Sequence, residues 1–360
     1  MEELTYPLQS PPPPGETLEI APGVHWLRMQ LPFALDHINL WALEDGDGWT
    51  IIDTGMQTPD IAAAWRTLIA GPMRDRPVKR VICTHMHPDH IGMAGWLTRR
   101  FDCRLWITRL EYVTCRMLVA DSTREAPPDA IRFYRASGWD DNALEDYKAR
   151  FGRFGKMVYQ LPDSYRRVVD GEELLIGGRV WRAVVGHGHS PEHLSLYCGQ
   201  EGLAHGFSDQ AASEGIPRGG GLLISGDQVL SKITSNVSVF PTEPDADPLT
   251  DWLESLASIK ARVPDDVLVL PSHNLPFKGL WPRLEQLIRG HENALTRLTE
   301  ALVEPKRAVD VFSLLFRRRV GSEMLAMASG ESVAHLNCLI HRGLITREDD
   351  EAGITWYRTA

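Results

Sequence analysis

The stretch Val81-Ile-Cys-Thr-His-Met-His-Pro-Asp-His-Ile-Gly92 places four potential metal ligands within six residues. Residues 81–84 are mostly apolar or β-branched, which predicts a short buried strand. Pro88 predicts that no helix continues through the loop that follows. The loop would then carry the four candidate ligands on a tight turn at the carboxyl end of the strand: His85, His87, Asp89 and His90.

The spacing of these residues predicts two metal ions. His85 and His87 are separated by one residue, so their imidazoles can converge on one ion. Asp89 and His90 are adjacent and point elsewhere, so they can hold a second ion a few ångströms away. The alternative is a surface loop that is rich in histidine by chance. The density of ligand residue types directly after a strand favours the metal site.

The segment Thr84-His-x-His-x-Asp-His90 resembles the signature of the metallo-β-lactamase superfamily of hydrolases. The resemblance implies a dinuclear site, usually with two zinc ions, with iron or manganese as alternatives. It also implies an α/β fold, the αβ/βα sandwich of two mixed sheets face to face. The remaining ligands are then expected at the ends of later strands.

The segment Gly186-His-Gly-His-Ser-Pro-Glu-His193 is similar to the third motif of that superfamily. The resemblance makes His189 the ligand and His193 the histidine that buttresses the turn. His187 competes for the ligand role, but the spacing to the trailing His193 favours His189.

Two further strand ends complete the resemblance. Gly221-Leu-Leu-Ile-Ser-Gly-Asp227 matches the fourth motif, in which the carboxylate bridges the two metals. The alternative for Asp227 is a simple turn residue. Pro271-Ser-His273 supplies the fifth motif. The resemblance thus implies two ligand sets and a bridging residue: His85, His87 and His189 for the first metal, Asp89, His90 and His273 for the second, and Asp227 between them.

Two aspartates have implied roles in catalysis. Paired metals lower the pKa of a bridging water, so hydroxide becomes available near neutral pH. Asp89 would orient this nucleophile and handle its proton. Asp53, in Asp53-Thr-Gly55, would lie just outside the ligands and orient the water or a ligand. Its alternative role is to cap a turn before the next helix.

The chain is expected to contain three regions. Residues 1–18 include the polyproline tract Pro11 to Pro14 and predict an irregular arm. Residues 19–303 form the metal-binding domain, and residues 304–360 resemble a winged helix. That domain would contain three short predicted helices, 309–318, 322–329 and 332–341, and a hairpin. The same appendage occurs in a glyoxalase-II-like branch (similar to hydroxyacylglutathione hydrolases) that includes ribonucleases.

Two segments exceed what the minimal fold needs. Residues 109–162 predict two or three helices, which we expect to cap the active site or to form a homodimer contact. Their alternative role is to cover the sheet. Residues 199–220 are polar and rich in glycine, with His205 and Asp209, and we expect a loop near the site.

Composition limits the location and partners. The formal net charge is -10, which argues against a surface designed for nucleic acid or anionic lipid. No apolar run approaches the roughly 18 residues that span a bilayer. The first residues also lack the basic start and apolar core of a signal peptide. The five cysteines are scattered, so disulfides are not expected. These features favour a cytoplasmic protein with a small-molecule substrate.

The predicted reaction is hydrolysis of a carboxylic ester, thioester or lactone. A metal-dependent phosphodiesterase, in particular a ribonuclease, is the rival, because two metals also suit in-line displacement. Residues 305–360 carry eight Lys and Arg against seven Asp and Glu, which gives RNA little electrostatic attraction. Two more hypotheses stay open: a persulfide dioxygenase with a single iron, and a non-catalytic metal-binding sensor.

Overall fold

The computed structural model describes residues 4–33, 35–199 and 220–360. His205 and Asp209 lie outside these residues, as does nearly all of the loop expected at 199–220. Residues 4–17 contain no helix and pair with the rest of the chain at Thr5, which exchanges backbone hydrogen bonds with Lys278. Leu8 in this segment is buried, so the arm packs against the body of the protein.

Two mixed sheets lie face to face, as the sequence predicted. The first has seven strands in chain order, antiparallel from β1 to β4 and parallel from β4 to β7: β1 (Leu18–Ala21), β2 (Val24–Gln30), β3 (His37–Asp45), β4 (Gly48–Ile52), β5 (Val78–Ile82), β6 (Arg104–Ile107) and β7 (Arg166–Arg167). The second has the order β12-β11-β10-β9-β8, with only β11 and β12 parallel: β8 (Glu173–Ile176), β9 (Arg179–Gly186), β10 (His193–Cys198), β11 (Leu222–Gly226) and β12 (Leu268–Pro271).

Helices cover the outer faces of both sheets. They are α1 (Pro59–Ala70), α2 (Pro88–Ile91), α3 (Ala94–Phe101), α4 (Arg109–Ala120), α5 (Pro128–Ala136), α6 (Asp141–Arg150), α7 (Pro248–Arg262), α8 (Leu280–Ala301), α9 (Phe312–Leu315) and α10 (Leu325–His341). Short 3-10 turns occupy Asp121–Thr123, Arg153–Lys156 and Ala308–Val311. A hairpin of β13 (Ile345–Asp349) and β14 (Thr355–Thr359) ends the chain.

The alternation of side chains along the strands produces a core between the sheets and one outside each sheet. Trp26 and Trp41 of the first sheet and Trp181 of the second are buried in the central core. The core outside the second sheet is shared by α7, α8 and α10 and includes Trp139 of the insertion. The insertion and the C-terminal segment therefore pack on the same side of the protein, where Trp139 Nε1 donates to Ser329 Oγ at 2.8 Å.

Hydrogen bonds between the sheets bring the strand ends together. Leu194 N, at the start of β10, donates to Thr84 O after β5 at 2.7 Å. Asn39 N in β3 donates to Ser272 O after β12 at 2.6 Å. Because β11 and β12 are parallel and adjacent, the residues that follow them also meet at this edge. The carboxyl ends of strands from both sheets thus surround one location.

Two predictions about helices were wrong. Pro88 does not exclude a helix but begins α2, because a proline at the first helical position lacks only an N–H group that would have had no helical partner. The predicted helices 322–329 and 332–341 are one helix, α10, which continues through Gly330. Gly330 lies against the chain at Val239, where a Cβ atom would come within 2.8 Å of the Val239 carbonyl oxygen. Tertiary packing, not helix propensity, explains this glycine.

Candidate metal centre

Three histidines from two loops form the first half of the site. His85 Nε2 lies 2.9 Å from His87 Nδ1 and 3.3 Å from His189 Nε2. These separations are short enough for the three nitrogens to ligate one ion. His85 and His189 are buried, whereas His87 is half-buried. The pair spaced by one residue therefore converges as the sequence predicted, and His189 joins it from the other sheet.

Two carboxylates and two histidines form the second half. Asp89 Oδ2 lies 3.6 Å from His90 Nε2 and 3.4 Å from His273 Nε2. Asp227 lies between the halves: its Oδ1 is 3.4 Å from His273 Nε2, and its Oδ2 is 3.5 Å from His90 Nε2 and 3.6 Å from His189 Nε2. One oxygen of Asp227 thus faces both groups, a geometry suited to a bridging ligand.

The histidines are oriented from behind by acceptors at Nδ1. His189 Nδ1 donates to Asn236 O at 2.7 Å, and His273 Nδ1 donates to His37 O at 2.8 Å. Since a carbonyl oxygen only accepts, the proton of each neutral ring must be on Nδ1. The lone pair is then on Nε2, which faces the centre. Such outer contacts fix both the tautomer and the ring orientation of a metal ligand.

Asp53 lies behind His90 and does not face the centre. Its Oδ2 accepts from His90 Nδ1 at 2.8 Å and from Thr84 Oγ1 at 2.8 Å, and its Oδ1 accepts from Thr84 N at 2.7 Å. Both carboxylate oxygens are thus used inside the protein. Asp53 was expected to orient either a metal ligand or the metal-bound water. These contacts favour the first role, because the carboxylate holds the candidate ligand His90.

The turn after β9 separates the two histidines that competed for one role. His189 enters the cluster, whereas His187 is exposed and its Nδ1 contacts Pro191 O at 2.7 Å. Gly188 between them has φ +101°, and a Cβ atom there would lie 2.5 Å from the Trp252 Cβ. His193 does not enter either metal group. Its Nε2 accepts from the backbone N–H of Asp227 at 3.0 Å, so His193 contacts the candidate bridging residue from outside the metal groups.

The electrostatics of the cluster favour cations. Burial opposes charge on His273, yet Asp227 and Asp89 raise its pKa to about 10. Burial also disfavours the charged form of His90, but Asp227, Asp89 and Asp53 raise the pKa of that ring well above its ordinary value. In contrast, burial and the neighbouring His189 lower the pKa of His87 to about 3. The carboxylates therefore stabilise positive charge at the centre, which metal ions would supply in place of protons.

Two buried polar atoms without partners indicate whether the centre is suited to a metal ion. Among the described residues, His90 Nε2 and Asp227 Oδ1 have no hydrogen-bond partner. Buried polar atoms without partners are costly unless another group satisfies them. Both atoms point at the positions where the donor set of imidazoles and carboxylates converges. This donor set suits zinc and related transition metals.

Glu111 is a functional candidate that sequence reasoning missed. It lies in the first turn of α4, within the insertion, and is fully buried. Its Oε2 accepts from Met86 N at 2.9 Å, and its Oε1 accepts from Ser190 Oγ at 2.6 Å and Glu192 N at 2.7 Å. It therefore ties the His85–His87 loop to the His189 turn. Burial raises the pKa of Glu111 to about 7, against the lowering effect of these three hydrogen bonds.

The sequence offered only a weak signal for Glu111. An acidic residue in the first turn of a helix is common because it interacts favourably with the helix dipole. Its position directly after β6, at the same sheet edge as the metal loop, becomes informative only when the strand order is known. The helical insertion is thus in contact with the candidate site.

The fold and the site define an αβ/βα protein with a histidine and aspartate cluster that can hold metal ions. A family model described as the metallo-beta-lactamase superfamily matches residues 34–205. A second, described as a metallo-beta-lactamase-like C-terminal domain, matches residues 295–360. The crystal structure of a beta-lactamase domain protein from Burkholderia ambifaria is 38% identical, with a TM-score of 0.86, and the match covers 99% of this chain and 98% of that one.

The chain therefore belongs to the metallo-beta-lactamase superfamily, whose members are metallo-hydrolases. The crystal structure of a metallo-beta-lactamase family protein from Thermus thermophilus is 24% identical, with a TM-score of 0.74 over 94% of this chain and 99% of that one, and shows the shared fold. Comparison with proteins of curated function found no match. Among the described residues, no helix is both long and apolar enough to cross a membrane.

Proposed function

We propose that the protein is a dinuclear metal-dependent hydrolase that acts on a carboxylic ester, thioester or lactone. The observation that carries this proposal is the position of Asp227, whose Oδ2 faces both His189 of the first donor set and His90 of the second, while its Oδ1 faces His273. The seven predicted ligands belong to three overlapping groups of potential donors, two of which correspond to the proposed donor sets, and the third of which contains Asp227. Zinc is the proposed metal, with iron or manganese as alternatives.

Two zinc ions, when bound, supply hydroxide near neutral pH and polarise the oxygen under attack. The protein's own residues then have distinct tasks. Asp89 is the more exposed of the two carboxylates at the centre, with a side chain 21% exposed, so it can accept a proton from the nucleophile and pass it to solvent. Asp53 holds His90, and Glu111 fixes the two loops that carry the histidines.

A carbonyl substrate is favoured because the chain offers little to attract a polyanion. Its formal net charge is -10, and acidic and basic residues are nearly balanced in residues 305–360. Hydrolysis at a carbonyl needs a nucleophile and stabilisation of the oxyanion, both of which this centre can provide. We also retain a cytoplasmic location, the winged-helix-like character of the C-terminal domain, and the glyoxalase-II-like branch as predictions.

The test is a side-by-side assay of zinc-loaded protein. The substrates are glutathione and coenzyme A thioesters, acyl-homoserine lactones, p-nitrophenyl acetate, bis-p-nitrophenyl phosphate and single-stranded RNA. We expect esters, thioesters or lactones to be hydrolysed more efficiently than either phosphodiester, and His85→Ala to abolish the activity. Full zinc loading without turnover of any substrate would contradict an enzymatic role and favour a sensor.

A ribonuclease is the second candidate, because one surface feature favours it. Arg317, Arg318 and Arg319 form an exposed basic run directly after α9. Phosphate contacts would make RNA cleavage decline steeply with salt. Efficient cleavage with that salt dependence, lost in a variant with all three arginines changed to serine, would overturn the carbonyl substrate in favour of RNA.

A further inference from the structure

We propose that the C-terminal domain contributes to the metal centre through Glu331, a positioning residue that acts on His189 by way of Asn236. This inference rests on the proposed function, because it assigns His189 to a metal. Glu331 lies in α10, near the middle of the chain's last helix. Neither Glu331 nor Asn236 lies in a sequence motif that indicates a role at the centre.

A continuous series of hydrogen bonds joins the two domains. His189 Nδ1 donates to the backbone oxygen of Asn236 at 2.7 Å. The side-chain Nδ2 of the same asparagine donates to Glu331 Oε2 at 2.6 Å. Asn236 therefore contacts the candidate ligand with its backbone and the C-terminal helix with its side chain. Under this proposal, the contact of that side chain with Glu331 positions the carbonyl that orients the imidazole.

The segment that contains Asn236, residues 235–239, is hereafter called the linking segment. At one end, Ser235 Oγ donates to Asp227 O, beside the bridging carboxylate. At the other end, Val239 N donates to Gly330 O at 3.0 Å, one residue before Glu331. The linking segment has no helix or strand of its own. Its position is consequently set by these contacts rather than by a backbone ladder.

The orientation of the Asn236 amide is also fixed. A carboxylate only accepts, so Asn236 Nδ2 must face Glu331 Oε2, and the amide Oδ1 then accepts from Ser238 Oγ. Within the described part of the chain, Nδ2 donates to Glu331 Oε2. Replacement of Glu331 by alanine would leave this amide without its anchor. Replacement by glutamine would keep an acceptor oxygen of the same reach.

The consequence is a change in metal binding. Loss of an outer contact to a ligating histidine typically costs about 10 to 100-fold in metal affinity or activity. His189 belongs to the first donor set, so weaker binding is expected for the ion held by His85, His87 and His189. A merely structural role of Glu331 would lower stability without changing the coordination of a single ion.

The experiment uses the full chain and measures cobalt(II) and zinc. The dissociation constants of both ions are obtained by competition with a chelator, and the coordination is followed in the absorption spectrum of the cobalt(II) protein. We expect Glu331→Ala and Asn236→Ala each to lower the affinity for one ion by about 10 to 100-fold and to alter the cobalt(II) absorption spectrum. Glu331→Gln should stay within about threefold of the unmodified protein, since it restores the hydrogen bond.

Two further variants make the result specific. Asn337, in the same helix, donates to Pro244 O and Ala246 O and thus anchors α10 without contacting the linking segment. Asn337→Ala should lower thermal stability but leave metal affinity and the cobalt spectrum unchanged. The double variant of Glu331 and Asn236 should lose no more affinity than either single variant, because both act in one series of contacts.

The outcomes separate this inference from the proposed function. Unchanged binding in Glu331→Ala, or an equal loss in Asn337→Ala, would overturn the role of Glu331. If His189→Ala itself retains both ions and the original spectrum, the metal assignment fails, and the proposed function fails with it. Loss in His189→Ala together with unchanged binding in Glu331→Ala would overturn only the inference.

Discussion

His90 Nδ1 lies 2.8 Å from Asp53 Oδ2, and both side chains are buried. Asp53 has φ +60°, a conformation that asparagine tolerates better than most other residues. The pair combines a candidate metal ligand with a carboxylate held in an unusual backbone position. This arrangement fixes which nitrogen of His90 faces the centre, and it gives a sharp test.

Asp53→Asn should lower the affinity of the second metal ion by about 10 to 100-fold while the fold is retained. The amide keeps the left-handed backbone but offers a weaker acceptor to the imidazole than a carboxylate does. Chelator competition measures the effect. Asp102→Asn is the matched control, since Asp102 also has positive φ (48°) but is exposed at the end of α3. Equal effects in the two variants would show that the contact with His90 is not responsible.

Protein purified without added metal should contain close to two transition-metal ions per chain, mostly zinc, by elemental analysis. Asp227→Ala should reduce this content far more than Asp53→Ala, because Asp227 faces both donor sets, whereas the Asp53 carboxylate contacts His90 and Thr84 behind the centre. Recovery of at most one ion after zinc loading would reject the dinuclear assignment. One iron per chain would favour the dioxygenase hypothesis.

Glu111→Ala should destabilise the protein by about 2 to 5 kcal/mol, because it leaves three donors buried without an acceptor. The donors are Met86 N, Ser190 Oγ and Glu192 N. Urea unfolding in the presence of a chelator measures this loss apart from metal binding. Glu125→Ala, at an exposed position in the same insertion, should change stability by less than about 0.5 kcal/mol. A similarly small effect in Glu111→Ala would show that it does not hold the two loops.

Gly330→Ala should destabilise the protein although it raises helix propensity. Its Cβ would come within 2.8 Å of Val239 O and 2.9 Å of Ser238 Cβ, so the linking segment must shift. Such overpacking typically costs about 1 to 3 kcal/mol. Gly290→Ala in α8 is the control: a Cβ there meets nothing within 4 Å, so propensity alone should stabilise by up to about 1 kcal/mol. In urea unfolding, the two variants should change the free energy of unfolding in opposite directions. Stabilisation by Gly330→Ala would contradict the close contact at Val239.

Glu331 should make stability dependent on pH. Burial raises its pKa to about 7 in the folded protein, from an ordinary value of 4.5, against the opposite effect of Asn236. The folded state then binds the proton more tightly than the unfolded state. The contribution of Glu331 to the free energy of unfolding is therefore fully present below pH 4.5 and is lost as the pH rises through 7.

The glutamine side chain in the Glu331→Gln variant does not titrate. The free energy of unfolding of this variant, relative to that of the unmodified protein, should therefore increase by about 1 to 3 kcal/mol between about pH 5 and pH 8. Urea unfolding at several pH values measures the difference. Glu323→Gln, at an exposed position just before α10, provides the comparison. A difference between Glu331→Gln and the unmodified protein that is constant over this range would reject the raised pKa.

Most strands and most of the cluster could be predicted from local sequence. Strands β5, β9, β11 and β12 all contain β-branched or other apolar residues at their buried positions, and a candidate histidine or aspartate ligand lies within three residues of the end of each strand. Ligand residue types and their spacing are local properties of the chain, so the resemblance identified them without a structure. The break predicted between residues 329 and 332 is absent: α10 is continuous there, and Val239 N donates to the Gly330 carbonyl.

The sequence by itself indicated the seven residues that converge at the centre, because ligand residue types follow the ends of four strands, and these strands from both sheets end at one location. Only the tertiary structure decided what holds those residues in place. Glu111 and Glu331 are separated from the loops they contact by long stretches of sequence, and their contacts depend on how the insertion and the C-terminal domain pack. A buried carboxylate is recognised by its partners, and those partners are adjacent only in the folded chain.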